Sequence, residues 1–350
     1  MVAFSSPGYI ISLMQEARFY NKNADGTVTC FLCAHNCRIK EGGTGVCQVR
    51  RSVDGVLYSS NYGELAAAGV DPVEKKPLFH FLPGSTSYSI ACPGCNFRCG
   101  FCQNWQISQA KEFSRLNGRS VKTEPQAVVA TALEQGCPSL SYTYTEPVVY
   151  YEFAADCAGF ALSKGLRNIF VTNGYISPQV LKDASQWLAA ANVDLKSFRE
   201  DFYSKVCGAA LRPVLDTISA MKGYGIWVEV TTLIIPGYND SLSELGDIAA
   251  FIAGLDQDIP WHLSAFHPDY KFQKAEYTDP SILEVARDIG RKNGLRFVYV
   301  GNLELENGAN TFCPACDCLL VERRGFSVVG NKIKDGKCQF CGEKIAGIWK

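Results

Sequence analysis

The chain carries almost no net charge. Its 34 Lys and Arg nearly balance 35 Asp and Glu over 350 residues, for a formal charge of −1. No global field draws it to nucleic acid or to an anionic membrane. Short basic runs at 49–51 and 322–324 read as solvated faces. The chain also lacks an uninterrupted apolar stretch near the roughly eighteen residues that a membrane span needs. Its first twenty residues show no basic start followed by a long apolar run, so no secretory leader is expected. It has no repeat at a fixed period and no low-complexity tract. These absences point to a cytoplasmic chain with no membrane partner, in a compartment where disulfides are rare.

Against that background, sixteen cysteines need another reason, and metal is the first to consider. Thirteen fall in three clusters. Cys30, Cys33, Cys37 and Cys47 lie near the start, Cys92, Cys95, Cys99 and Cys102 in the stretch ACPGCNFRCGFCQNW, and Cys313, Cys316, Cys318, Cys338 and Cys341 near the end. Cys137, Cys157 and Cys207 occur singly and read as small buried hydrophobes.

Residues 1–86 are irregular and rich in Gly and Pro. From Ser87 onward, short apolar runs alternate with amphipathic stretches of helical length. SYSIA, LSYTY, NIFVT, NVDL, WVEVTTLII, WHLSAF and RFVYV read as strands, each but the last followed by a helix. Gly136 lies near one helix end, and Ser177 with Pro178 opens another. Strict alternation implies an α/β fold with parallel strands and right-handed crossovers, either a full barrel or a partial (β/α)6–7 TIM-like barrel. The expected division is an N-terminal four-cysteine metal-binding module and extension over 1–86, a barrel over 87–304 and a C-terminal module over 305–350. Barrels handle ligands at the C-terminal ends of their strands, and the central cysteines follow the first strand directly.

Cys95, Cys99 and Cys102 are spaced C-x3-C-x2-C. Three thiolates on one loop can hold three irons of a cubane and leave the fourth open. Cys92, at the strand end, is a less natural ligand. A zinc site on all four cysteines is the bland alternative.

The stretch CNFRCGFC resembles the signature of the radical S-adenosylmethionine (SAM) superfamily. That resemblance implies a [4Fe–4S] cluster on Cys95, Cys99 and Cys102 with SAM chelating the open iron. One electron would split SAM into methionine and a 5′-deoxyadenosyl radical, which takes hydrogen from a substrate. It also implies SAM contacts from the backbone of Phe101 and from later strand ends. Glu146 in YTEP matches the acidic position of the family's Gly-Gly-Glu motif, but the two glycines do not match. The plain reading of Glu146 is a residue favoured at a helix N-terminus, and both readings can hold. As in the pyruvate formate-lyase activating enzyme group, Asn173 in TNGY, Asp194 and Lys196 in VDLK, the segment IIPG and His267 in FHPDY are implied around SAM. Taken singly, an Asn-Gly pair is more often a turn and a lone His a structural one.

DPVEKKPLFHFLPG, CGFCQNWQIS, YTEPVVYYE, VDLKSF, PWHLSAFHPDYKF and VYVGN together resemble the AmmeMemoRadiSam system radical SAM enzyme, over roughly residues 25–350. This resemblance implies AMMECR-like and Memo-like proteins as partners, and the chemistry requires a low-potential donor, ferredoxin or flavodoxin. It names no substrate. A glycyl-radical protein is one alternative substrate, and a non-catalytic metal-binding adaptor is the alternative from another class.

The outer clusters offer no open position. Cys30, Cys33, Cys37 and Cys47 suggest structural zinc or a second [4Fe–4S] cluster, and their place outside the barrel favours zinc. His35 reads as a bystander. The two C-x2-C pairs Cys313–Cys316 and Cys338–Cys341 read as a zinc ribbon, with a rubredoxin-like iron as the alternative and Cys318 as a spare. The ribbon is expected to cap the C-terminal side of the barrel or to bind a protein partner. Near-neutral charge argues against nucleic acid.

Overall fold

All seven sequence-predicted strands form, and they lie side by side in chain order. The computed structural model describes residues 14–115 and 118–350, so the leader reading on the first residues lies outside the described residues. The strands are β2 (Thr86–Ala91), β3 (Ser139–Tyr142), β4 (Arg167–Thr172), β5 (Leu188–Asp194), β6 (Trp227–Ile234), β7 (Trp261–Ala265) and β8 (Val298–Gly301). Every neighbouring pair from β2 to β8 is parallel. An eighth strand, β1 (Ala67–Pro72), adds antiparallel to the free edge of β2. The sequence reading left this stretch within an irregular extension. Its residues are mostly small and only partly buried, so they carry no apolar alternation, and its partner strand lies beyond a turn.

The sheet order is β8-β7-β6-β5-β4-β3-β2-β1, and among the described residues its two edges do not pair. The sheet is thus open and mostly parallel. Each crossover moves one strand in the same direction. With right-handed connections this places the helices on one face and leaves the other to line an interior. The helices are α1 (Pro125–Glu134), α2 (Tyr151–Ser163), α3 (Pro178–Ala184), α4 (Arg212–Gly223), α5 (Leu242–Leu255) and α6 (Pro280–Lys292). Their starts follow the local chemistry. Ser177, Ser241 and Asp279 each accept a backbone N–H in the first turn, and Pro178 and Pro280 follow two of these caps. Gly136 ends the turn after α1 with φ of 65°. β3 is buried at all four positions, as a strand covered on both faces should be.

Residues 14–66 form short hairpins that pack against the loop after β2. One buried ion pair anchors them. The Arg50 guanidinium meets both Glu152 oxygens at 2.6 Å, with side chains 1% and 3% exposed.

The C-terminal module is a small antiparallel sheet, Thr311–Phe312, Leu319–Arg324 and Ser327–Asn331, with Cys313 and Cys316 after its first strand, and a separate hairpin, Ile333–Lys334 and Lys337–Cys338, that carries Cys338 and leads to Cys341. It does not cap the C-terminal ends of the parallel strands. Phe79, Phe297, Tyr299, Leu320, Val321 and Ile345 form one cluster. Ile348 joins Ile169, Ala190 and Trp227 near the strand beginnings. The opposite end of the interior is therefore the one plugged. Arg323, almost fully buried, donates to the Phe79 carbonyl at 2.7 Å and stacks on the Phe79 ring. Glu229, on β6, is buried there too. It accepts from the backbone amides of Phe79 and His80 and lies 2.6 Å from His262 Nε2. The expected capping role failed because that end's inward residues come from three distant segments, which no local pattern shows.

Candidate active site

With one end plugged, the interior opens at the C-terminal ends of the strands. The cavity there has a volume of about 500 Å³, and all seven parallel strands or their following loops line it. The loop after β2 supplies Cys95, Cys99, Phe101 and Cys102. The turn after β3 supplies Glu146, the end of β4 supplies Asn173, and the end of β5 supplies Asp194 and Lys196. These are eight of the nine residues expected around the cluster and SAM. The ninth, His267, is exposed and does not line the cavity. The IIPG segment contributes its last two residues, Pro236 and Gly237, to a separate surface hollow with Tyr270 and Phe272.

The cysteine loop is held from behind. The Arg98 amide donates to the Cys207 carbonyl at 2.7 Å, and the Gly100 amide to the Val206 carbonyl at 3.4 Å. Both acceptors belong to a π-helical turn, Tyr203–Cys207, of the kind often found at functional sites. Cys207, read as a bland buried thiol, hydrogen-bonds Cys99. That bond, followed by burial, pushes the Cys99 thiol well above its ordinary range, while burial does the same to Cys95 and raises Cys102. As bare side chains all three are neutral, and a bound metal would ionise them. Donors already face the sulfurs: the Phe97 amide is 3.3 Å from Cys95 Sγ, and Ser108 Oγ is 3.1 Å from Cys102 Sγ. Cys92 is fully buried, takes the Gly63 amide and is not part of the cavity wall.

Across the cavity, Glu146 is 2% exposed. Its Oε1 accepts from Thr172 Oγ1 at 2.8 Å and from the Val148 amide at 3.2 Å, and its Oε2 from the Asn173 amide at 2.8 Å. It is thus both the cap of the turn Pro147–Tyr150 and a carboxyl on the cavity wall. Burial raises its pKa to about 7, against three hydrogen bonds that favour the carboxylate. Tyr144 replaces the first of the family's two glycines. It nonetheless holds φ of 63°, a left-handed conformation that glycine adopts freely. Its hydroxyl donates to Asp71, and its ring lies 4.5 Å from the Lys76 ammonium. This network pins the strained residue. Lys76 and Asp71 come from the segment beginning DPVEKK, which sequence reasoning used only for resemblance.

Asp194 and Lys196 pair at 2.9 Å. Burial pulls the Lys196 pKa down, but the Asp194 charge beside it more than offsets this, and the ammonium stays protonated well above its usual range. Lys196 also lies 5.9 Å from the Phe101 ring. One wall of the cavity is therefore a carboxyl and the next an ammonium beside a carboxylate. An amino acid's two charged ends would find complements there.

At the ribbon, the thiols of Cys313, Cys316, Cys338 and Cys341 all lie within 4.8 Å of one another. Cys313 and Cys341 are 3.5 Å apart, and Cys316 and Cys338 3.8 Å. Tetrahedral zinc with bonds of about 2.3 Å requires sulfur separations of about 3.8 Å, so this set fits a single ion.

Residues 89–252 match the radical SAM superfamily. The chain is also 45% identical over 335 residues to an uncharacterised protein, MJ0808, of Methanocaldococcus jannaschii, covering 95% of this chain and 99% of that one. This chain belongs to the radical SAM superfamily. It is 22% identical over 205 residues to the pyruvate formate-lyase-activating enzyme of Clostridium pasteurianum, covering 53% of this chain and 82% of that one. A solved radical SAM methyltransferase from Sphaerobacter thermophilus aligns over 83% of this chain and 77% of that one, with 15% identity and a TM-score of 0.49. Radical SAM proteins use a [4Fe–4S] cluster and SAM. The residues present fit that pair: three thiols on one loop border the cavity, and a buried carboxyl stands on the far wall. No helix among the described residues is long and apolar enough to cross a membrane.

Proposed function

We propose that this chain is a radical SAM enzyme whose cavity binds SAM beside a [4Fe–4S] cluster on Cys95, Cys99 and Cys102. When bound, the cluster supplies the electron that splits SAM into methionine and a 5′-deoxyadenosyl radical. The chain's residues bind, orient and shield. Glu146 receives the SAM ammonium, Lys196 meets the SAM carboxylate, and Asp194 and Asn173 hold the nucleoside side. Phe101 and the strand-end turns keep water from the reacting atoms. The observation carrying this reading is Glu146, a buried carboxyl on the same cavity as three thiols from one loop. His267, exposed and not on the cavity wall, is assigned no contact in this reading.

The substrate belongs to a partner protein or a small molecule. The electron comes from ferredoxin or flavodoxin, and AMMECR-like and Memo-like proteins are the proposed associates. Anaerobically reconstituted protein given dithionite and SAM should yield 5′-deoxyadenosine, and Cys99→Ser should abolish it. No product from a fully loaded cluster would sink the proposal, and a failure to bind SAM in calorimetry would favour a metal-binding adaptor.

Similarity to the pyruvate formate-lyase-activating enzyme of Clostridium pasteurianum favours a second reading, a glycyl-radical protein as substrate. A glycyl signal in electron paramagnetic resonance (EPR) on a candidate partner tests it. The ribbon is proposed to hold zinc.

A further inference from the structure

The N-terminal cysteines do not resemble the ribbon. Cys30 and Cys37 face each other across the antiparallel strands Val28–Cys30 and Cys37–Ile39. Cys33 lies in the turn between them, and a glycine-rich turn brings Cys47 back. None is in a disulfide. Each sulfur accepts a backbone amide: Leu32 to Cys30, His35 to Cys33, Val46 to Cys37 at 3.5 Å, and Val49 to Cys47. Such a ring of N–H donors suits four metal-bound thiolates. Yet among the described residues only the ribbon's sulfurs draw together within 4.8 Å. The N-terminal four do not reach the spacing of about 3.8 Å that zinc requires, and neither do Cys95, Cys99 and Cys102. A four-iron cubane carries its thiolates outside a larger core.

Their position is equally telling. Asn96, next to Cys95 and fully buried, joins the two cysteine sets. Its Nδ2 donates to the Tyr175 carbonyl at 3.2 Å, and its carbonyl lies 2.8 Å from Nε2 of His35, two residues after Cys33. Its Oδ1 accepts from Asn173 Nδ2 at 2.8 Å, and the same Nδ2 is 3.8 Å from Cys95 Sγ. Asn96 thus touches the turn of Cys33 and His35 on one side and, through Asn173, reaches the Cys95 sulfur on the other. The rings of His35, Tyr175 and Phe97 pack around this junction. Cys33 and Cys37 are half-buried, outside the cavity, whereas Cys95, Cys99 and Cys102 all line it.

We infer that Cys30, Cys33, Cys37 and Cys47 hold a second [4Fe–4S] cluster, which relays single electrons through Asn96 to the cluster on Cys95, Cys99 and Cys102. This rests on the radical SAM reading above. The electron balance is simple. A reduced low-potential donor of the ferredoxin class gives one electron to the outer cluster, taking it from the 2+ to the 1+ state. The outer cluster then returns to 2+ as the inner one goes to 1+. No covalent bond forms or breaks in the transfer and no proton moves.

Anaerobically reconstituted full-length protein should contain about eight irons and one zinc, and show two reduced-cluster EPR signals. The Cys33→Ala/Cys37→Ala variant should keep about four irons and lose one signal. With reduced ferredoxin its SAM cleavage should slow by about tenfold or more, while titanium(III) citrate, reducing the inner cluster directly, still drives cleavage. Should the variant not fold, freeze-quenching the wild-type protein with reduced ferredoxin serves instead, and the outer-cluster signal should precede 5′-deoxyadenosine. About four irons with two zincs overturns the assignment. A four-iron variant with undiminished ferredoxin-driven cleavage, or an outer signal that follows product, overturns the relay. Wild-type protein that makes no 5′-deoxyadenosine with titanium(III) citrate refutes the radical SAM reading instead.

Discussion

Replacing Glu146 with glutamine should weaken SAM binding and erase its pH dependence. The folded protein holds the Glu146 carboxyl at about pKa 7, because burial disfavours its charge. Relative to an ordinary value near 4.5, that shift corresponds to about 3 kcal/mol between the two protonation states. Near pH 7 roughly half the molecules carry the neutral acid. An ammonium at hydrogen-bond distance compensates the buried charge and draws the pKa back down. SAM binding and protonation therefore compete, and SAM affinity should rise about tenfold between pH 6 and pH 8. Glutamine keeps the shape and loses the charge. A hydrogen bond to a charged group contributes about 1.5–3 kcal/mol, so the dissociation constant should increase about ten- to a hundredfold. Anaerobic calorimetry on cluster-loaded protein at three pH values reads both effects. The sign for stability is opposite to that of a paired carboxylate. A raised folded pKa gives stability that is present below pH 4.5 and lost as pH rises through about 7. The glutamine variant without SAM should thus be relatively more stable at pH 8 than at pH 5. Unchanged affinity and an unchanged pH slope would refute the reasoning.

Three further outcomes are expected. Arg50→Met leaves Glu152 buried without its partner and should cost about 3–5 kcal/mol in urea unfolding, and Arg50→Met/Glu152→Leu should recover most of it. Burial lowers the His80 pKa to about 4, and the Glu229 carboxyl is also held low because His262 and other partners outweigh its burial. Both contributions are present at neutral pH and lost as pH falls, so melting temperature should drop from pH 7 towards pH 4, and His80→Phe should flatten that slope. Cys338→Ser should release the ribbon metal and change Trp349 fluorescence. SAM affinity should persist, because the ribbon closes the end opposite the SAM cavity.

Much of the fold was legible from local chemistry. Alternating apolar runs and capped helices identified seven strands and their crossovers, because periodicity and end signals such as Ser177–Pro178 act within a few residues. The C-x3-C-x2-C spacing and the order of the strand ends brought eight expected residues to one cavity, since parallel strands present their C-terminal ends together. What escaped had no local signal. β1 contains Ala and Gly where a strand pattern would need larger alternation. His267 follows a strand end like the others, but its loop turns it outward. Tyr144 takes a glycine-like φ only because Asp71 and Lys76, far away in sequence, hold it there.

By itself the sequence determined what lies within reach of one loop: which cysteines stand together, where helices begin and which strands run parallel. Only the tertiary structure decided which end of the interior stays open, and it brought the turn of Cys33 and His35 against Asn96, the neighbour of Cys95. Contacts between distant segments depend on how helices and hairpins pack across the whole core, and no stretch of sequence encodes that packing alone.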